Sequence, residues 1–364
     1  MNKNMRYKFL GLSLIVIGLS LSLQSCNKED TLHKNDNEAS VLRFTASTVN
    51  SVEATTRSWS DTYNSAFPDG TVIDLFLYDS DKRDLSAEQN NNTSRKWKYS
   101  TNGEVDIASG RSLLTQTFPT ADDPETVLPK FPTALADDGY VDVFAVFFPT
   151  GCNVSVPGIT NSEYSDIIPS RTSFTFSVQT DQSNPDNVVA SDFLANDVTS
   201  AYRPVNGKGG SAINLEMKHR MAKVLVKFNP TEDLESYNMP INTYSIENVK
   251  TELTVKLMPS DFNITGDIST TGNPTSIKAK VDEPFFLPPQ TITAGTKFLK
   301  FDLRNVGGTD TGIRNVTYAP TSDLTFNEGV YYVLTLNVGV HYITITTTIR
   351  DWTAETITFD KIIL

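Results

Sequence analysis

The chain has 364 residues, of which 38% are hydrophobic, 10% aromatic and 20% charged. This composition is too apolar for an intrinsically disordered protein, and the length allows about two folded domains. The formal net charge of −12 disfavours binding to nucleic acid or to acidic lipid headgroups, because both are themselves negative. We therefore expect a folded protein that has neither as a direct ligand.

Residues 1–25 have the pattern of a signal peptide. Basic residues within positions 1–8 precede the apolar run 9–23, which is shorter than the roughly 20 residues of a membrane-spanning helix. The run ends at Leu23-Gln24-Ser25-Cys26, which resembles the lipobox of bacterial lipoproteins. The resemblance implies that Cys26 is acylated, with palmitate as one such group, and becomes the first residue of the mature chain.

The segment after Cys26 predicts the destination of the lipoprotein. Asn27-Lys28-Glu29-Asp30 is similar to the signal that sends lipoproteins of the Bacteroidetes to the outer face of the outer membrane. Several acyl chains on one N-terminus would anchor a protein stably, whereas a single chain would not. We therefore expect a surface-exposed lipoprotein of the outer membrane, with residues 26–57 forming a lipidated tether and a removable strand.

Beyond the tether, the apolar residues repeat with the period of β-strands. The runs 72–78 and 141–148 are apolar almost throughout, which predicts strands buried on both faces. Phe174 and Phe176 alternate with Ser and Thr, which predicts a strand with one face in a core. The run 221–228 places alternate apolar residues on one face and Lys223 and Lys227 on the other.

The turns between these runs indicate the fold class. Clusters of Pro, Gly, Asn and Asp separate the predicted strands, and no long stretch has an apolar stripe of helical period. We predict an all-β protein of antiparallel β-sandwiches with few, short helices. The Gly-rich stretch 207–210 predicts a boundary between an N-terminal sandwich at 58–210 and a C-terminal sandwich at 211–364.

The residues needed for catalysis or metal binding are sparse. Of the three histidines, His219 and His341 lie in or beside predicted strands, with no cysteine or second histidine nearby in sequence. Zinc-ligand spacing is therefore missing, and no nucleophile elbow accompanies either histidine. We predict no enzyme activity, no catalytic or metal-binding residue and no cofactor. Acylation of Cys26 would leave Cys152 without an intramolecular disulfide partner.

Four stretches resemble the fimbrillin family of Bacteroidales, the subunits of lipoprotein-derived surface pili. Each stretch matches one feature of the family. In chain order these are a Thr-Arg pair before the first strand (Ala54–Ser58 with Gly70–Phe76), alternating hydrophobic residues followed by a His, a small residue, a Lys and aliphatic residues (Leu215–Val226), a Pro-Pro-Gln turn (Leu287–Phe298), and closing strands that end at a Trp (Gly329–Leu336 with Ile349–Trp352).

The resemblance implies a fold and a role. It implies two transthyretin-like antiparallel β-sandwich domains in tandem, in a lipidated precursor at the cell surface. It also implies that an Arg-specific protease removes the N-terminal segment, and that the product joins other subunits in a fimbria that serves cell adhesion.

The segment to be removed has the pattern of an edge strand. Cleavage after Arg57 would free this strand and leave an unpaired sheet edge beside an apolar slot, which another chain could occupy. Arg43 is the less favoured cut, because much of the strand would stay in place. The apolar residues of the predicted removable strand are Leu42, Phe44 and Ala46.

The predicted donor strand for that slot lies at the C-terminus, in residues 353–364. Ile357, Phe359 and Ile363 would supply apolar side chains to a neighbouring subunit. A head-to-tail contact that does not close forms a fibre, so the chain would be a stalk subunit. If the segment is instead the last strand of its own domain, the chain fits a pilus tip, and both roles stay open.

A second function, from another class, is a surface glycan-binding lipoprotein of a polysaccharide uptake system. It could be built from similar sandwiches with exposed aromatic residues. Polymerisation requires that residues 41–57 and 353–364 be separable strands, whereas glycan capture requires neither. The behaviour of these two segments therefore discriminates the two functions.

Overall fold

The computed structural model describes residues 42–48, 67, 69–79, 96–98, 105, 111–116, 140–155, 173–202, 212–230, 237–238, 243–257, 266–305, 313–339, 342–350, 356–358 and 362–363. Within these ranges the protein consists mainly of β-strands and contains a single short helix. The prediction of an all-β fold is confirmed.

The strands are numbered in chain order, and the helix is α1 (Pro185–Val189). They are β1 (Phe44–Thr48), β2 (Val72–Asp79), β3 (Lys96–Lys98), β4 (Thr115–Gln116), β5 (Tyr140–Phe147), β6 (Asn153–Ser155), β7 (Ser173–Ser177), β8 (Asp181–Gln182), β9 (Leu194–Ala195), β10 (Thr199–Tyr202), β11 (Ile213–His219), β12 (Ala222–Pro230), β13 (Tyr237–Asn238), β14 (Thr243–Val249), β15 (Glu252–Lys256), β16 (Asp267–Thr271), β17 (Thr275–Lys280), β18 (Pro284–Leu287), β19 (Gln290–Ile292), β20 (Leu299–Asn305), β21 (Ile313–Tyr318), β22 (Leu324–Phe326), β23 (Tyr331–Val338), β24 (Tyr342–Arg350), β25 (Thr356–Thr358) and β26 (Ile362–Ile363).

The largest sheet has eight strands, and β1 lies at one end of it. Its order is β1-β11-β9-β5-β2-β3-β4, with β10 also paired to β5. Two sheets of six strands, one of four and one of two complete the described part of the chain. Most neighbouring strands are antiparallel, but three pairs run parallel: β1 with β11, β12 with β23, and β8 with β17.

The central strands β2 and β5 are buried on both faces, as the apolar runs predict. In β2, Ile73 and Leu75 pack into one core, whereas Phe76 and Tyr78 pack into another. Because successive side chains of a strand point to opposite faces, the eight-stranded sheet separates two cores. The sequence prediction for these two strands is therefore confirmed.

The smaller of the two cores is called here the N-terminal core. It receives side chains from β1, β2, β5, β9 and β11, and from the segment that contains Leu114. Its buried members are Leu42, Phe44, Ala46, Phe67, Ile73, Leu75, Leu77, Leu114, Val141, Val143, Ala145, Phe147, Leu194, Leu215 and Met217. The larger core lies on the other face of the sheet and continues between the sheets formed by later strands.

Strand pairing joins residues on both sides of the predicted boundary at 207–210. β11, which follows that stretch, pairs with β1 and β9 of the eight-stranded sheet. β7, which precedes it, pairs with β15. A division into sandwiches at 58–210 and 211–364 stays a prediction, and β11 shares its sheet with the strands that come before the boundary.

Strand β12 has the predicted alternation, but one of its two lysines is buried. Lys227 is exposed, whereas Lys223 is only 3% exposed. β12 is an interior strand, paired with β18 on one side and β23 on the other. The Lys223 ammonium lies 5.0 Å from the centroid of the Tyr331 ring, so an aromatic face compensates part of its lost hydration.

Candidate functional site

The candidate site is the position that β1 occupies beside β11 in the eight-stranded sheet. β1 pairs in parallel with β11, and the register runs from Phe44 opposite Ile213 to Thr48 opposite Met217. The amide of Ile213 donates to the carbonyl of Arg43 at 2.8 Å. On its other side, the Phe44 carbonyl accepts a bond from the Leu114 amide at 2.8 Å.

The three apolar residues of the predicted removable strand are all buried. Leu42 is 1% exposed, Phe44 0% and Ala46 7%, and all three belong to the N-terminal core. Burying a Leu or Phe side chain contributes about 1.5–3 kcal/mol, so Leu42 and Phe44 together contribute on the order of 3–6 kcal/mol. A strand at the end of the sheet therefore completes a core that it could vacate only by opening an apolar slot.

Polar contacts fix the register of β1 on β11. The Thr45 hydroxyl donates to Asn214 Oδ1 at 3.3 Å, and the Ser47 hydroxyl donates to the same oxygen at 3.5 Å. Because a shift by one residue would turn the apolar side chains away from the core, these contacts and the core select the same register.

A cluster of polar side chains lies where β11 ends and β12 begins, and Asp192, His219 and Arg220 are its buried members. Its members are His219, Asp192, Arg220, Asp197, Glu328 and Lys218. His219 Nδ1 lies 2.7 Å from Asp192 Oδ1, and both side chains are buried. The turn that follows α1 positions Asp192. α1 ends at Val189, and the Asp192 amide donates to the Val189 carbonyl at 3.2 Å.

Arg220 makes three further bonds in this cluster. Its Nε donates to the Ala195 carbonyl at 3.1 Å, Nη2 to Asp197 Oδ1 at 2.6 Å, and Nη1 to Glu328 Oε1 at 3.1 Å. Asp197 also binds the ammonium of Lys218. The Lys218 hydrogen bond, and after it Arg220, hold the pKa of Asp197 below its usual value.

This cluster could not be predicted from the sequence. His219 could be excluded from a catalytic triad or a zinc site, but its partner comes 27 residues earlier and carries no local signature. The signal that was present is the His-centred motif at 215–226, which the structure places at the passage from one core to the other. Leu215 and Met217 enter the N-terminal core, and Ala222 and Val224 enter the larger one.

The predicted donor segment pairs with β24 and forms one end of a six-stranded sheet. β25 pairs with β24, with Ile357 opposite Thr347, and β26 pairs with β24, with Ile363 opposite Tyr342. Phe359 lies outside the described residues. The predicted lipidation site Cys26 and the predicted cleavage site Arg57 also lie outside them, so both stay predictions.

The chemistry of the remaining described residues is limited. Burial raises the pKa of the Cys152 thiol to about 12. Within the described ranges, no group of three or more His, Cys, Asp or Glu side chains could hold a metal ion. No helix among the described residues is both long and apolar enough to cross a membrane.

Comparison with known proteins gives one family match. The model of a family described as fimbrillin-like matches residues 145–352. A search of curated proteins gives no match.

Among solved structures, similarity extends over most of the chain at low identity. A candidate cell adhesion protein from Bacteroides uniformis is 15% identical, with 86% of this chain and 98% of that chain covered and a TM-score of 0.47. A fimbrial assembly protein from Parabacteroides distasonis is 11% identical, with coverages of 89% and 98% and a TM-score of 0.40. A structure described as candidate polysaccharide binding proteins, from Bacteroides thetaiotaomicron, is 8% identical, with coverages of 87% and 98% and a TM-score of 0.35.

Proposed function

The chain belongs to the fimbrillin-like family, and from this premise we propose that it is a structural subunit of a cell-surface pilus. Subunits assemble by β-strand exchange that a protease triggers, and the fibre serves adhesion. The observation that carries the proposal is the position of β1. It lies at the end of its sheet, yet its side chains complete the N-terminal core.

The first step is release of β1. Cleavage after Arg57 by an Arg-specific protease cuts the chain between β1 and β2. From then on, β1 is held without a covalent link. Its ladder to β11, its contacts with Leu113 and Leu114 on the other edge, and the burial of Leu42 and Phe44 retain it. Side-chain burial of about 3–6 kcal/mol is opposed by the entropy that the cut segment regains on leaving, so a competing strand can displace it.

The second step is entry of a strand from another subunit. Departure of β1 exposes the backbone edge of Ile213–Met217 and the apolar side chains of Leu215, Met217 and Leu114. An extended segment with alternate apolar residues satisfies both needs, because it supplies backbone bonds and fills the slot. Residues 353–364 of a neighbour, with Ile357, Phe359 and Ile363, are the proposed donor.

The position of the C-terminal segment at the end of its sheet supports the proposal that it acts as a donor. β25 and β26 pair only with β24 among the described strands, at the end of their sheet. Their departure would not divide the sheet. In a stalk subunit this pairing precedes donation, whereas in a tip subunit it persists; the proposal includes both roles.

The precursor is held at the surface of the outer membrane by acylated Cys26. Cleavage at Arg57 removes the covalent link between the folded sandwiches and this anchor, and departure of β1 then both frees the subunit and opens the slot. Assembly is thereby confined to subunits that have already reached the cell surface. The fimbria is then the final location of the processed chain.

Limited digestion of residues 27–364 with trypsin tests the proposal. The expected product begins at Ser58 and multimerises, as measured by light scattering after size exclusion. An Arg57→Ala variant is the matched control and should remain monomeric under the same digestion. In a stalk subunit, Phe359→Asp should abolish chain growth while the monomer stays folded.

A different outcome would support the glycan-binding function. A trimmed protein that stays monomeric, together with retardation of the uncut protein on a polysaccharide gel, would contradict the pilus proposal. Trimming without either result would refute strand exchange and leave the glycan function unsupported as well.

A further inference from the structure

Support for β11 is distributed unevenly along its length. Residues Ile213–Met217 have β1 as their ladder partner, and only Lys218 and His219 pair with β9. In the part of the chain that the structure describes, no other strand pairs with Ile213–Met217. When β1 leaves, β11 therefore keeps its ladder at the C-terminal end alone.

That end is where the polar cluster lies. His219 is bound to Asp192, and the Arg220 amide donates to the Phe193 carbonyl at 2.9 Å, while the Arg220 side chain binds Ala195 and Glu328. None of these four bonds involves a residue of β1. Loss of β1 therefore removes none of them directly.

The cluster is also tied to the sheet that contains β23. The Gly329 amide donates to the Met221 carbonyl at 2.9 Å, and the Lys223 amide donates to the Val330 carbonyl at 3.0 Å. Glu328, which binds Arg220, lies in the same turn before β23. The C-terminal end of β11 is thus fixed to two parts of the fold that are packed around the larger core.

From this arrangement we propose that His219, Asp192 and Arg220 are positioning residues for strand exchange. They hold β11, which is one wall of the slot, in place during the interval after β1 leaves and before another strand enters. The inference rests on the proposed function, because it concerns the state that strand exchange passes through. It assigns to the cluster a role beyond stabilising the uncut subunit.

The physical reason is preorganisation. An open slot lined by Leu215 and Met217 favours collapse, because collapse removes apolar surface from water. A wall that bends inward would have to be reopened by the incoming strand, which lowers both the rate and the affinity of capture. A fixed β11 end resists that collapse and keeps the exposed edge extended.

Arg220→Met tests the role of the cluster in positioning β11. The carboxylates that Arg220 binds are largely exposed, with side-chain exposures of 62% for Asp197 and 48% for Glu328. Removing the guanidinium therefore leaves no buried acid without a counterion. Lys278→Gln is the matched control, because it removes an exposed ion pair, with Asp181, far from the slot in sequence.

The assay uses the complete chain, residues 27–364, cut after Arg57 with the N-terminal fragment still bound. A labelled synthetic peptide of residues 41–49 is added in excess, and its capture in place of the fragment is followed by fluorescence anisotropy. We expect Arg220→Met to capture the peptide about tenfold more slowly than wild type. The control should equal wild type. The uncut Arg220→Met protein should still unfold cooperatively, at a lower melting temperature than wild type because it loses three hydrogen bonds.

Two conservative variants separate positioning from general stability. Arg220→Lys keeps the charge but loses the fork geometry, so it should give an intermediate capture rate. Asp192→Asn keeps an oxygen acceptor for His219 and should be close to wild type. Capture by Arg220→Met at the wild-type rate, or unfolding of its uncut form, would overturn the proposal.

This readout is separate from that of the proposed function. If the wild-type cut protein captures the peptide but never multimerises, strand exchange between subunits fails, while the variant series still decides whether the cluster positions β11. If the wild-type cut protein neither releases its fragment nor takes up the peptide, both proposals are refuted.

Discussion

Replacing Phe44 by Ala should weaken the hold of the subunit on its N-terminal strand. Phe44 is fully buried in the N-terminal core, and truncation of such a residue costs about 3–5 kcal/mol. After cleavage at Arg57, the same loss reduces the free energy with which the N-terminal fragment binds to the rest of the subunit. At about 1.4 kcal/mol per factor of ten, 3 kcal/mol weakens retention roughly 150-fold.

The assay compares release of the cut fragment with stability of the uncut chain. Fragment release is followed by mass spectrometry after dilution, and unfolding of the uncut chain by urea. Phe144→Ala is the matched control, because Phe144 is equally buried but lies in β5 and faces the larger core. It should lower the free energy of unfolding of the uncut chain and leave fragment release unchanged.

Two outcomes would show that Phe44 does not hold β1 as described. If Phe44→Ala releases its fragment at the wild-type rate, Phe44 does not hold β1 in the slot. If Phe144→Ala accelerates release as much as Phe44→Ala does, the strand is retained by the stability of the whole sheet, and the apolar slot is not a separable feature.

Three further predictions concern stability and reactivity. Gly266→Ala should lower the free energy of unfolding, measured in urea, by about 2 kcal/mol. Gly266 has a φ of +56°, and an added Cβ would lie 2.7 Å from the Phe144 ring. Gly295→Ala should lose only about 1 kcal/mol, because Gly295 has a φ of +80° but its added Cβ would have no atom within 4 Å. Cys152, with a pKa of about 12, should be alkylated by iodoacetamide at pH 8 about a thousandfold more slowly than an ordinary cysteine, whose pKa is about 8.5. Alkylation of Cys152 at the rate of an ordinary cysteine, followed by mass spectrometry, would contradict this. Because the pKa of Asp197 is lower in the folded protein, its carboxylate stabilises the fold above about pH 4, and this stabilisation is lost as the pH falls through the lowered pKa. Asp197→Asn should therefore lessen the drop in melting temperature that acid causes. An unchanged drop would show that Asp197 does not contribute to the acid sensitivity of the fold.

Much of the fold follows from local patterns in the sequence. The apolar runs of β2 and β5, and the alternation in β7, predict both the strands and their burial, because a period of two needs only neighbouring residues. The apolar alternation of Leu42, Phe44 and Ala46 likewise predicts the face of β1 that enters the N-terminal core, whereas the burial of Thr45 on the opposite face carries no such signal. These features could be predicted because the side chains themselves carry the signal.

Long-range pairing could not be predicted in the same way. The parallel contact of β1 with β11 joins residues such as Thr45 and Asn214, which are 169 positions apart, and no local pattern selects that partner. The pairing of His219 with Asp192 is similarly hidden, since a buried His requires an acceptor but does not say where it lies. Burial of Lys223 depends on β23, which comes about a hundred residues later.

A reversible crosslink between β1 and β11 tests the central claim most directly. Ser47 and Glu216 are opposite one another in the ladder, with Ser47 partly exposed and Glu216 exposed. Neighbouring strands are about 4.8 Å apart, which suits a disulfide. The variant Ser47→Cys/Glu216→Cys, made with Cys152→Ser, would therefore lock the strand when oxidised and release it when reduced.

The measurement is the mass of the particles formed after cleavage at Arg57, by light scattering, with and without reductant. If β1 must leave before another subunit can bind, the oxidised protein stays monomeric and the same sample multimerises once it is reduced. Equal multimerisation of the locked and unlocked forms would contradict the account, as would a reduced form that remains monomeric.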